Sequence, residues 1–226
     1  YRKKGVVYTA TSIHEDYLKL VHKEEMELAK ATGFEYPEIR LEKVFAGLYN
    51  EGFKSNSVSL SQTISEEDPW IQEIAVSFRE TSRSKLFLFP ATVKTLKTLR
   101  SRGAKVYLLS NAQHCFTEPE MKEVGLWDMF DDIFISSDHG KKKPQPEFME
   151  ELITKHNIDR KNAVMVGNDF TSDIRIALSC GMESIFLNTD KHSAENMQKL
   201  LLKERELTSS NKNVSIIESG NIAEIL

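Results

Sequence analysis

The residues best suited to chemistry lie in Ala163 to Asp173, AVMVGNDFTSD, where an apolar run stops at Gly167 and two aspartates follow, four residues apart. Ala163 to Val166 has the length and unbroken apolar character of a central parallel strand, and Thr171 to Cys180 has helical spacing before Gly181. Asp169 and Asp173 are therefore expected in the crevice at a strand's carboxyl end, where open α/β sheets bind their ligands. Hard oxygen donors with no Cys or His beside them suit Mg2+ better than zinc. Each aspartate also has a plainer use, one as a helix N-cap and the other as a first-turn acid that complements the helix dipole.

Two further strand ends carry matching parts. Ala104 to Leu109, AKVYLL, reads as a strand ending on Ser110-Asn111. Ser110 can donate its hydroxyl, and Asn111 its side chain or backbone N–H, to an anionic oxygen; an ordinary strand-to-helix turn is the plainer reading of that pair. Asp132 to Ser136 reads as a strand followed by the basic loop GKKKPQP. Lys143 there can set a positive charge against an anion, and Pro144 stiffens the loop that presents it. Lys141 and Lys142 read as a solvated charge run. In a parallel sheet all carboxyl ends face one way, so Ser110, Asn111, Lys143, Asp169 and Asp173 are expected to converge. Positioning, a cation clamp and a metal are what phosphoryl transfer requires.

The elements that must hold these residues change character near residue 85. The first part reads as helical: Ser12 with Glu15 as a capping box ahead of a helix to about Ala31, a second helix opening near Pro37, and a third opened by Asp68-Pro69. Gly52 to Glu67 is Ser-rich and reads as a surface loop. Trp70 and Phe78 read as packing among these helices. From Leu86 onward helices and strands alternate, the signature of a parallel sheet. Helices are expected at Pro90–Arg102, about Glu118–Val124, about Pro146–His156 and about Ser193–Glu206, with further strands at Ser184–Leu187 and Val214–Ile217. The fold class is thus α/β, a Rossmann-like parallel core over residues 85–226 with a helical unit over residues 1–84.

Composition narrows the partners. The net charge of −4 and a pI near 5.9 give no footprint for nucleic acid, because lysines and arginines are interleaved with acids. Two cysteines, Cys115 and Cys180, make no disulfide framework, so a reducing, cytoplasmic setting is expected, with Cys180 in the core. No apolar run approaches the roughly 18 to 20 residues of a membrane span. His139 reads as a loop residue, and His14, His22, His114, His156 and His192 are scattered. Oligomeric state leaves no mark.

LLSNA, SSDHGKKKPQPEFM and VGNDFTSD, in that order and each after a strand, resemble the second, third and fourth motifs of the haloacid dehalogenase-like (HAD) hydrolases. FPATVKTLKTLRSRG and SNAQHCFTEPEMKEVGLWDMFD resemble that family's connecting helices, and the helical first part resembles its cap. The resemblance implies a magnesium-dependent phosphatase acting on a small phosphorylated metabolite through an aspartyl-phosphate. A sugar phosphomutase of the same superfamily is the second reading. The first motif, an Asp-x-Asp after the first strand, has no match. In GVVYTATS, Val6 to Tyr8 could end a strand with Thr9 and Thr11 in the aspartate places, which would make the chain an inactive binding module. The favoured expectation is instead an upstream apolar strand ending in Asp-x-x-Gly-Thr or Asp-x-Asp-Gly-Thr.

Overall fold

Thr9 opens the first helix because its side chain accepts the Ser12 N–H at 3.0 Å while the Ser12 hydroxyl accepts the Thr9 N–H. The capping box is therefore three residues earlier than the Ser12–Glu15 pair that the spacing suggests, with Ser12 as its second member. In the computed structural model, which describes residues 1–55 and 63–226, this helix, α1, runs Ala10–Thr32 and ends on Gly33 in the left-handed conformation. Helix α2 is Leu41–Ser55 and α3 is Pro69–Ser82, the latter with Asp68 as N-cap and Pro69 at its first position. Pro37 does not open α2; it sits four residues earlier, in an isolated antiparallel bridge to Lys141. Of the expected loop at 52–67, residues 52–55 finish α2 and residues 56–62 lie outside the described residues. Ile64 beyond them is bonded through both N–H and C=O to the Asn50 side chain at 3.0 Å.

The three helices share one apolar cluster. Phe45, Ala46 and Leu48 of α2 meet Ile71 and Ala75 of α3, with Tyr17 and Leu20 of α1 against them. Trp70 and Phe78 pack here as expected; Phe78 lies 5.4 Å from Phe45 and 6.2 Å from Phe116, ring to ring. The segment before α1 joins the same cluster instead of forming a strand. Val6 is fully buried, and the Tyr1 and Tyr8 hydroxyls donate to Phe45 O and Leu48 O of α2. Thr9 and Thr11 therefore stand at a helix start, and neither lines the candidate site described below.

The remainder alternates as the sequence predicts: α4 Thr92–Ser101, β1 Tyr107–Ser110, α5 His114–Glu123, β2 Asp132–Ile135, α6 Ser136–His139, α7 Pro146–His156, β3 Val164–Gly167, α8 Arg175–Ser179, β4 Glu183–Leu187, α9 Ala194–Thr208 and β5 Val214–Ile217. All pairings between these strands are parallel. β1 pairs with β2, and β3–β4–β5 form a second group, so β1 and β3 each keep one edge without a strand partner among the described residues.

One core spans both groups. Leu109 of β1 and Phe134 of β2 pack with Phe148, Met149, Leu152 and Ile153 of α7 and with Ile176 and Ala177 of α8. Cys180 lies in this cluster, its thiol pushed up to about 12 by burial, which fits the expected core role. A second cluster sets Phe170, Ile174 and Leu178 against Phe186 of β4 and Met197 of α9. Among the described residues no helix is long and apolar enough to cross a membrane.

Candidate active site

The carboxyl ends of β1 and β3 open on a cleft of about 470 Å³ lined by Ser110, Asn111, Lys143, Asn168, Asp169 and Asp173, among others. That volume falls in the range of small-molecule sites. All five residues singled out from the sequence line it, although they come from three separate segments of the chain.

Lys143 is the centre of the arrangement. Its Nζ donates to Leu109 O at 2.7 Å and to Asp173 Oδ1 at 2.7 Å, tying the end of β1 to the helical segment after β3. Both side chains are more than nine-tenths buried. An ammonium has three N–H donors, so one remains for a ligand. The other carboxylate oxygen, Asp173 Oδ2, accepts the Asn168 N–H at 2.9 Å and the Asp169 N–H at 3.1 Å. Every oxygen of this buried acid is thus matched, as a buried charge demands.

Gly167 makes the approach possible. A methyl group at that position would stand 2.2 Å from Asp173 Oδ2, closer than any real contact, so a side chain there and this carboxylate exclude each other. The segment that carries Asp173, Phe170–Ile174, is a single π-helical turn before α8. Such turns recur at functional sites.

The structure divides the labour differently from the sequence reading at two points. The Asn111 side chain does not offer its amide to the cleft: Nδ2 donates to Lys143 O at 2.9 Å and Oδ1 accepts the Lys143 N–H at 2.7 Å. Its amide therefore clamps the Lys143 backbone. Asp169 is an N-cap, and its Oδ1 accepts Thr171 N–H, Thr171 Oγ1–H and Ser172 N–H. Partial burial pushes its carboxyl pKa up, but these bonds outweigh that and hold it below the ordinary value. Capping and metal binding are compatible, because Oδ2 takes none of the three bonds.

The donor chemistry fits magnesium, which keeps water ligands and takes one or two carboxylates. Among the described residues no group of three or more His, Cys, Asp or Glu side chains gathers to hold a metal. Asp169, Asp173 and the Asn168 amide are what the cleft supplies. Asn168 was missed in the sequence; its Nδ2 donates to Thr189 Oγ1 at 3.0 Å.

Outside the cleft, His114 at the start of α5 lies between two carboxylates, with Nδ1 2.7 Å from Asp138 Oδ2 and Nε2 2.7 Å from Glu118 Oε2. Burial lowers its pKa, and the two acids raise it by more, for a net rise above the ordinary 6.5. A raised histidine stabilises the fold fully below its unfolded pKa and loses that contribution as pH climbs through the folded one. The thermal midpoint should therefore fall more between about pH 6 and about pH 9 in the wild type than in His114→Gln. Parallel curves for the two proteins would refute the pairing. His139 plays no part in the cleft; it stacks on Phe134 at 4.4 Å and bonds Glu151.

The chain is similar to known proteins in sequence and in fold. Glyceraldehyde 3-phosphate phosphatase of Methanothermobacter thermautotrophicus is 29% identical over 138 residues, covering 60% of this chain and 61% of that protein. Phosphoglycolate phosphatase of Vibrio vulnificus is 30% identical over 135 residues, covering 59% of each. The chain thus spans about three-fifths of the length of these curated relatives. Among solved structures, 2-haloacid dehalogenase from Pseudomonas syringae pv. Tomato superposes with a TM-score of 0.62 at 16% identity, over 97% of this chain and 80% of that one. A HAD phosphatase from Thermococcus onnurineus does so at 0.50 with 19% identity, over 91% and 87%. These likenesses show the fold alone. The family model of the haloacid dehalogenase-like hydrolases matches residues 4–181, across the helices, the cleft and most of the core, and the chain belongs to that family.

Proposed function

We propose that the protein is a magnesium-dependent phosphatase that hydrolyses a small phosphomonoester through an aspartyl-phosphate intermediate. The observation that carries this reading is the convergence of Ser110, Lys143, Asp169 and Asp173 on one small cleft at the carboxyl ends of β1 and β3. Relatives named as phosphatases of glyceraldehyde 3-phosphate and phosphoglycolate support it and suggest the size of the substrate.

In this reading the remaining N–H of Lys143, the Ser110 hydroxyl and the Asn111 backbone N–H bind the non-bridging phosphoryl oxygens, where charge gathers in the transition state. Asn111 and Asp173 hold Lys143 in place and so act as positioning groups. Asp169 and Asp173 would hold the magnesium ion, whose contribution is to neutralise phosphoryl charge. The attacking aspartate is expected on a further strand of the parallel core, beside β1 and β3, which each keep an edge without a strand partner among the described residues and whose ends Lys143 ties together through Leu109 O and Asp173. Its carboxylate oxygen forms a bond to phosphorus as the ester oxygen leaves and takes a proton; water then cleaves the acyl phosphate, restoring the carboxylate and releasing phosphate. Thr9 and Thr11 stand at the start of α1 and do not line the cleft, which speaks against their occupying the two aspartate places.

Full-length protein quenched in acid during turnover should carry a phosphoryl group on an aspartate, released by hydroxylamine and located by mass spectrometry. Turnover with no such adduct, or with phosphate on histidine or serine, would contradict the mechanism.

A further inference from the structure

The segment between α1 and α2 runs beside the loop that presents Lys143, and one residue of it, Tyr36, holds both ends of that loop. Its carbonyl accepts the Lys142 N–H at 3.0 Å, and its own N–H donates to Gln145 Oε1 at 3.1 Å. A third bond, from the Gln145 N–H to Lys142 O at 2.9 Å, closes the loop on itself, so residues 142–145 form one β-turn. Lys143 and Pro144 are its two central residues. Tyr36 is itself in a fixed segment: Glu38 N–H donates to Gly140 O at 3.2 Å, and the Gln113 side chain accepts the Leu41 N–H and donates to Ile39 O, both at 2.9 Å.

Gln145 carries the side-chain part of this arrangement. It is buried; its Oε1 also accepts the Glu35 N–H at 3.1 Å, and its Nε2 donates to Glu147 Oε2. The residue is the N-cap of α7, a position where Ser, Thr, Asp or Asn would bond the helix's own N–H groups. The Gln145 side chain makes no such bond. It is turned instead to backbone 109 and 110 residues away. A local rule set aside for a distant partner is what a functional site shows.

Where Lys143 Nζ can reach depends on where the turn sets its backbone. Asn111 clamps the Lys143 backbone directly, and Gln145 with Tyr36 fixes the two residues that bracket the turn. We infer that Gln145 is a positioning residue for Lys143, holding the turn against residues 35–36 so that the ammonium meets the phosphoryl group in register. The inference rests on the phosphatase reading and adds to it a residue that does not line the cleft. Lys142 takes part through its backbone, independently of the charge on its side chain.

The test is a double-mutant cycle in the full-length protein. Gln145→Asn shortens the side chain by one methylene, which draws the acceptor away from the Glu35 and Tyr36 N–H groups, and it gives α7 a better N-cap, which offsets the cost to the fold. Misplacing a reacting group by about 1 Å lowers a rate by up to about a hundredfold. The expected result is a fall in kcat for an aryl phosphate of about tenfold to a hundredfold, and no further fall when the change is added to Lys143→Met. Gln145→Glu combined with Glu147→Gln exchanges the two side chains, keeps every bond, and should match the wild type. Wild-type turnover in Gln145→Asn, an equal fall on both backgrounds, or a folded exchange variant with a comparable loss would overturn the inference. No turnover by the wild type would count against the phosphatase reading. In that case calorimetric titration with inorganic phosphate decides the positioning alone. Binding weakened by Gln145→Asn and by Lys143→Met, and no weaker in the double variant than in Lys143→Met, sustains it. Binding that Gln145→Asn leaves unchanged, additive losses, or no binding by the wild type overturns it.

Discussion

Replacing Lys143 by methionine is expected to lower turnover of an aryl phosphate by the full-length protein about a thousandfold. Methionine keeps most of the volume and removes the charge. What is lost is a cation held between Leu109 O and Asp173 Oδ1 with one N–H left for the substrate. The substitution also leaves Asp173 buried without its counter-charge. Breaking a buried ion pair from one side costs about 3 to 5 kcal/mol. The Asn168 and Asp169 amides still satisfy Oδ2, so a loss near the lower end, about 3 kcal/mol, should appear in urea unfolding. Turnover within about tenfold of wild type would mean that Lys143 does not touch the phosphoryl group.

The second large effect is expected at a residue with no functional group. In Gly167→Ala the new methyl would lie 2.2 Å from Asp173 Oδ2 and 2.3 Å from Cγ, so the carboxylate has to move. Moving it gives up the two backbone N–H bonds and the hold on Lys143. Overpacking of this kind costs about 1 to 3 kcal/mol, and the broken hydrogen bonds add to it. Turnover should fall nearly as far as in Lys143→Met, because both changes dismantle one unit. The double variant should then be little worse than either single variant, a strong departure from additivity. Independent, multiplying losses would show that Gly167 and Lys143 act separately.

Much of this site was legible in the sequence because its parts are punctuation marks in a repeating pattern. Lys143, Asp169 and Asp173 each follow an apolar run that alternation assigns to a parallel strand, and parallel strands end on one side. Helix α7 and strand β5 fall where spacing places them, at Pro146–His156 and Val214–Ile217. The misses share a cause: they are decided by partners distant in sequence. Helix α5 starts at His114, four residues before the expected Glu118, because the hydroxyls of Ser136 and Ser137 accept the N–H groups of Ala112 and His114. Strand β1 begins at Tyr107 and not Ala104, since only Tyr107–Ser110 finds a neighbour in β2. Asn111 looks like a donor to a ligand until the Lys143 backbone is brought beside it. The pairing of Arg175 with the buried Glu204 spans 29 positions and leaves no local signal. The Thr9 cap was within reach, since Thr9 and Ser12 are adequate N-cap and partner residues, but the β-branched run before it read as a strand end.

The measurement that bears most directly on the central claim is phosphate release from a generic aryl phosphate by the full-length protein, with and without magnesium, beside the Asp169→Asn variant. Asparagine keeps an acceptor for the Thr171 and Ser172 amides and removes only the negative charge, so helix capping and metal binding are separated. Release that requires magnesium, stops with EDTA and is nearly abolished in Asp169→Asn is the predicted result. Release that continues in EDTA, or that is undiminished in Asp169→Asn, would contradict the account of the cleft as a magnesium-dependent phosphoryl site.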